Sequence, residues 1–307
     1  MASEPLAMRD AFIERLSELA KQDRNIVFVS ADMGAPALDR FRRDLSGQYV
    51  NTGVAEQNMI MVASGLAMSG KKAFTFSIAP FATARCFEFT KINISLMNLP
   101  VTIIGVGAGF SYDGDGPTHY STEDVSIMRV LPHMEILSPC DSIAAAGCAD
   151  LAYKADHPVY IRLDRQVVPD IYDPSYSFED GFRQIKPGTD ICIAATANMV
   201  HNALSISSRC GMAGKEIGVI DLYRLKPLGD ALFEAFSKFK TVISLEEHLL
   251  NGGMGSALAE EFIDRRLQVA LKRFGINDKY VYAYGRKYIQ KLCGIDEDSV
   301  IESIERM

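Results

Sequence analysis

Between residues 26 and 163 the chain alternates short β-branched, apolar runs with longer segments of helical periodicity. That alternation limits the fold more than any other property of the sequence. Residues 26–29, 48–51, 72–78, 101–104, 134–138 and 158–163 read as strands. Residues 5–22, 36–45, 55–70, 80–97, 123–130 and 141–154 read as helices. Strands joined through helices pair in parallel, and a parallel sheet is covered on both faces. Residues 1–165 are therefore expected to form a doubly wound α/β domain. Pro169, Pro174, Pro187 and Gly188 punctuate a stretch with little periodicity, so 166–188 reads as an interdomain linker. Strands at 190–195, 216–220, 241–246 and 267–273, with helices at 198–212, 228–238 and 254–265, predict a second, smaller α/β domain over 189–307.

The remaining composition narrows the function. A net charge of −7 argues against nucleic acid or an anionic membrane surface as the main partner. No apolar run is long enough for a membrane span. The first twelve residues include Glu4, Arg9 and Asp10 and lack the apolar core of a signal peptide. The six cysteines are scattered, without a C-x-x-C pair, and read as buried free thiols. A cytoplasmic protein is the expectation.

Three stretches stand out chemically. The helix over 55–70 is apolar almost all round from Met59 onward, which predicts full burial. It is headed by Glu56, and a carboxylate there must be paired, protonated or bonded to a ligand. The loop at 105–122, GVGAGFSYDGDGPTHYST, follows a strand at the sheet edge where α/β proteins bind ligands. It fits neither the P-loop nor the dinucleotide pattern, but it carries Asp113, Asp115 and His119. For His119, proton carrier and plain loop residue remain equal alternatives on pattern alone. Phe81, Arg85 and Phe87 open the helix after strand 72–78, where an aromatic could wall a flat ring. Arg165 could clamp an anion or make an interdomain ion pair. Glu246-Glu247-His248 reads as a helix cap with solvated charges.

Together these motifs resemble the C-terminal half of a transketolase. The resemblance runs through Ser30-Ala31-Asp32, Gly53-Val54-Ala55-Glu56-Gln57, Ala63-Ser64-Gly65-Leu66-Ala67, Asp115-Gly116-Pro117-Thr118-His119 and Leu163-Asp164-Arg165-Gln166. It implies a pyrimidine-binding domain followed by a transketolase C-terminal domain, and thiamine diphosphate as cofactor. By position Glu56 would hydrogen-bond N1′ of the aminopyrimidine and promote proton loss at the thiazolium carbon. Phe81 would stack on the pyrimidine, with Asp32 near the thiazolium and Arg85 beside the cofactor. Asp115 and His119 would bond hydroxyls of the donor ketose. Arg9 and Arg165 would lie near the substrate phosphate.

Two departures accompany the resemblance. Gly107 stands where family members carry a phosphate-binding histidine. The diphosphate-and-magnesium half, marked by G-D-G with a downstream Asn, is absent, and no residue here is assigned to a metal. The resemblance therefore implies one subunit of a split transketolase. Mg2+ would be held mainly by a separate N-terminal diphosphate-binding subunit, in an α2β2 heterotetramer with a β–β contact. The alternatives are a 1-deoxyxylulose-5-phosphate-synthase-like subunit, a 2-oxo-acid dehydrogenase β-type subunit or a non-catalytic partner.

Overall fold

The computed structural model describes residues 6–307, so position 5, where the first helix was expected to open, lies outside the described residues. The first half runs α1 (Met8–Gln22), β1 (Ile26–Ser30), α2 (Pro36–Asp44), β2 (Tyr49–Asn51), α3 (Glu56–Met68) and β3 (Lys72–Ile78). It continues through α4 (Ala79–Ala82), α5 (Phe87–Thr90), β4 (Val101–Val106), α6 (Asp124–Arg129), β5 (Glu135–Leu137), α7 (Ser142–Lys154) and β6 (Val159–Leu163). The second half holds β7 (Phe182–Lys186), β8 (Ile191–Ala195), α8 (Met199–Met212), β9 (Ile217–Leu222), β10 (Arg224–Lys226), α9 (Asp230–Phe236) and β11 (Thr241–Leu249). It ends with α10 (Met254–Asp264), β12 (Ala270–Ile276), α11 (Arg286–Cys293) and α12 (Glu297–Glu305).

The strands form two mainly parallel sheets, ordered β10-β5-β6-β4-β3-β1-β2 and β12-β11-β8-β9-β7. Every residue of β1, β4 and β6 is buried, as helix-covered parallel strands require. In the larger sheet the chain passes from β1 outward to β2, then crosses back to β3 on the other side. The loops after β1 and β3 consequently diverge at the carboxyl edge, which opens a crevice there.

The structure corrects the sequence expectations in several places. The expected linker contains β7, which pairs antiparallel with β9. β10 belongs to the stretch expected as the second domain, yet it pairs antiparallel with β5 and extends the first sheet. Three residues, Arg-Leu-Lys, carry too little pattern to announce a strand. The helix expected over 80–97 is broken. Its first turn closes on Ala79, where the Thr83 hydroxyl also donates to the Ala79 carbonyl over 2.7 Å. The following amides then lose the helical register, with Arg85 N bonded to Pro80 O and Cys86 N to Thr83 O. A five-residue π-turn, Lys91–Ser95, follows α5. Finally, α3 is not fully buried. Met59, Ile60, Ala63 and Ala67 face the sheet, but Met61 is 43% and Met68 65% exposed, because only one side of the helix meets this chain.

The two halves are joined by a buried ionic cluster. Arg286, at the start of α11, donates to Asp164 Oδ2 over 2.6 Å and to Glu247 Oε2 over 2.7 Å. Gln290 adds a 2.6 Å bond to Glu247. Burial alone would raise Asp164, but the charge and hydrogen bond of Arg286 outweigh it and hold the carboxyl below its ordinary range. Glu246 does cap a helix, accepting from Met254 N and Gly255 N over 2.7 Å each. Glu247 and His248 are buried and not solvated as expected, because Glu247 clamps the loop after β4 through Phe110 N at 3.0 Å.

Candidate active site

The carboxyl edge of the larger sheet gathers the residues singled out in the sequence. Asp32 follows β1, Glu56 opens α3 after β2, Phe81 and Arg85 follow β3, His119 lies in the loop after β4, and Arg165 follows β6. Six side chains form one line of contacts. Arg85 Nη1 donates to Glu56 Oε2 over 2.7 Å. The Arg85 guanidinium lies 4.1 Å from the Phe81 ring centroid. Phe81 meets the His119 ring edge-on at 5.1 Å. His119 stands 5.9 Å from the Tyr112 ring, and Arg165 covers that ring at 4.1 Å.

Glu56 is 4% exposed, so its desolvation must be compensated. Arg85 supplies the compensation from a side chain that is 43% exposed. The break after α4 is what turns Arg85 toward Glu56, and Gln57 Nε2 holds the Arg85 carbonyl at 3.3 Å. Only Oε2 is strongly engaged. Oε1 accepts a 3.5 Å contact from Ser77 Oγ and keeps its acceptor capacity. Beside it Cys86 is no nucleophile: burial, then the charge of Glu56, pushes its thiol up to about 12.

The other expected residues sit differently. Asp32 adopts a left-handed conformation (φ 57°), and its carboxylate accepts from Asn51 Nδ2 over 2.9 Å. Asn51 Oδ1 in turn accepts from Gly53 N at 2.9 Å, which ties the ends of β1 and β2 together beside the α3 entry. Among the described residues Asp32 makes no hydrogen bond to the Glu56–Arg165 line. Arg9 is paired with its neighbour Asp10 at 2.9 Å. Asp115 is exposed, and its amide donates to the Tyr112 carbonyl over 2.9 Å. Arg165 makes no ion pair with a described residue. The interdomain pair considered for it belongs to Asp164, one residue earlier. Sequence reasoning passed over Tyr112, whose only signal was its place between the glycines of the 105–122 loop.

A buried carboxyl with one free acceptor, set beside an aromatic side chain, matches the donor–acceptor edge and flat face of an aminopyrimidine. Among the described residues no group of three His, Cys, Asp or Glu side chains is placed to hold a metal ion. No described helix is long and apolar enough to cross a membrane.

Comparison with known proteins gives the family. The transketolase pyrimidine-binding domain matches residues 4–170, and the transketolase C-terminal domain matches residues 181–300. The chain belongs to the transketolase family. It corresponds to the polypeptide that carries these two domains in split transketolases, transferases divided between two chains. It is 33% identical to one of the subunits of the apulose-4-phosphate transketolase of Actinobacillus succinogenes, over 96% of each chain. It is 33% identical to a 6-deoxy-6-sulfo-D-fructose transketolase subunit from a Clostridium species, over 96% of this chain and 92% of that one. A solved split-gene transketolase, described as an inactive β4 tetramer, superposes with a TM-score of 0.87 at 30% identity over 98% of both chains.

Proposed function

We propose that this chain supplies the pyrimidine-binding half of a thiamine-diphosphate-dependent transketolase that moves a two-carbon ketol unit from a ketose to an aldose. The observation that carries the reading is the unbroken line of contacts from the buried Glu56 to the exposed Arg165. The bound cofactor supplies a nucleophilic carbon that accepts and releases the ketol unit. Glu56 Oε1 holds a proton at N1′ of the aminopyrimidine, and Arg85 fixes the carboxyl by its other oxygen. Phe81 offers its ring to the pyrimidine. Asp32, held by Asn51, stands at the thiazolium end. Asp115 and His119 take the donor hydroxyls. Arg165, with Arg9 nearby, faces the anionic end of the substrate. A ketose ending in phosphate or sulfonate is the donor class, in keeping with the names of the relatives.

The diphosphate and Mg2+ are held by a separate polypeptide, a reading supported by relatives that are themselves single subunits of split transketolases. The open face of α3 serves contact between two copies of this chain within a heterotetramer. Val54, Met61, Met68, Ile92, Leu96 and Met97 are exposed there, and α3 packs beside the π-turn.

The test combines the purified chain with the diphosphate-binding subunit, thiamine diphosphate and Mg2+, and measures ketol transfer from phosphorylated and sulfonated ketoses. Neither polypeptide alone should be active. Glu56→Gln should assemble normally while kcat falls by about 10²–10⁴-fold. Turnover by the isolated chain, or an unchanged kcat in the variant, would reject the reading.

A further inference from the structure

Gly107 follows β4 with φ 103°, and a Cβ built on it would lie 2.3 Å from the Tyr112 ring. Tyr112 thus fills the volume that any side chain at position 107 would need. The two positions are sterically exclusive: a bulky group can enter this space from 107 or from 112, not from both. The ring is held on three sides. Gly107 backs it, the Arg165 guanidinium covers it at 4.1 Å, and the His119 ring stands 5.9 Å away. The Asp115 amide fixes the Tyr112 carbonyl at 2.9 Å, which sets the backbone from which the ring projects.

The hydroxyl is left uncommitted. It makes no hydrogen bond to another described residue, although the side chain is half-buried. Burial raises its pKa, while the charges of Arg165 and Arg9 pull the other way and Asp115 adds a raising contribution. The group is thus a neutral O–H donor on a ring whose centroid lies 4.1 Å from the Arg165 guanidinium, which comes from the loop after β6. It lies beyond His119 as seen from Glu56. A donor at this end of the line meets the part of a substrate farthest from the reacting carbon.

We infer that Tyr112 is a specificity-determining residue: its hydroxyl, beside Arg165, donates to the terminal oxyanion of the donor ketose, and its ring closes the pocket space next to Gly107. This rests on the transketolase reading above. Arg165 contributes charge and its own N–H donors, and Tyr112 adds a further directed hydrogen bond from a fixed ring. The ring also limits how far the oxyanion can sit from His119, so the pocket selects for donor length as well as charge.

The test uses Tyr112→Phe in the chain assembled with its diphosphate-binding subunit, because the ring, and hence the packing against Gly107, is retained. KM for an anionic donor should rise roughly tenfold to hundredfold with kcat unchanged. KM for the matching unphosphorylated ketose should not move. Inorganic phosphate, titrated calorimetrically into the same complex, should bind weaker by a similar factor in the variant. An unchanged phosphate Kd, or equal KM changes for charged and uncharged donors, would overturn the inference. Weaker phosphate binding in a complex that transfers no ketol unit from any ketose would uphold the role of Tyr112 and sink the transketolase reading alone.

Discussion

Two buried carboxylates show how environment assigns roles to residues of one type. Glu56 is compensated by a guanidinium that reaches it from a half-open position, so its second oxygen stays available. Asp221, near the end of β9, is fully buried without an ion-pair partner among the described residues. Its Oδ2 accepts from the Tyr172 hydroxyl at 2.7 Å and the Cys140 thiol at 3.2 Å, while Oδ1 has no partner among the described residues. Burial therefore dominates and raises its pKa to about 7 from 3.8. Between those two values the folded state binds more protons than the unfolded state, so stability falls as pH rises through that window. Asp221→Asn keeps an acceptor for both donors and cannot ionise. Thermal unfolding should show the variant more stable than the wild type at pH 8, with the advantage shrinking through the window and gone below pH 3.8. Parallel melting temperatures across the range would refute the assignment.

At the scale of elements, the loop after β4 carries His119 and Tyr112 and is positioned from the other half of the chain. Glu247, near the end of β11, grips Phe110 N, and its side chain fills the space beside Gly109, which has a positive φ of 59°. Arg286 from α11 binds Asp113 Oδ2 through its backbone amide at 2.8 Å and neutralises Asp164 and Glu247 with its guanidinium. Arg286→Met would leave two buried carboxylates without a countercharge. Breaking a buried ion pair from one side costs about 3–5 kcal/mol. Chemical denaturation should register a loss of that size, and limited proteolysis should cut first within 105–122. A stability change below about 1 kcal/mol would mean the cluster is replaceable by apolar packing.

For the whole molecule, the outer face of α3 departs from a self-sufficient fold. Leu96 is 77% and Val54 78% exposed, alongside Met61 and Met68. Monomers seldom leave contiguous apolar patches of this kind in water. A charge placed at its centre should be tolerated by the fold and not by the assembly. Met61→Glu should shift sedimentation toward the monomer while the far-ultraviolet circular dichroism stays unchanged. An unaltered oligomer would remove α3 from the interface. Under the proposed assembly the same face accounts for α3 reading as a core helix, because an interface between chains and a core ask for the same residues.

The alternation of strands and helices determined the parallel sheets, because βα crossovers leave few other topologies and the mainly apolar β1, β4 and β6 need cover on both faces. The local motifs around Glu56 and His119 determined which sheet edge gathers the candidate site residues, since each follows a strand that the pattern makes plain. Tertiary structure alone decided the rest. β10 crosses to the first sheet, and three residues hold too little periodicity to show it. Arg85 turns onto Glu56 because the helix after β3 breaks, which depends on a hydroxyl back-bond and not on any helix-breaking residue at the break. Tyr112 enters the site because Gly107, five residues earlier, leaves room for its ring. Each of these outcomes depends on contacts between positions whose spacing in the chain carries no repeat, and such contacts form only once the backbone has folded.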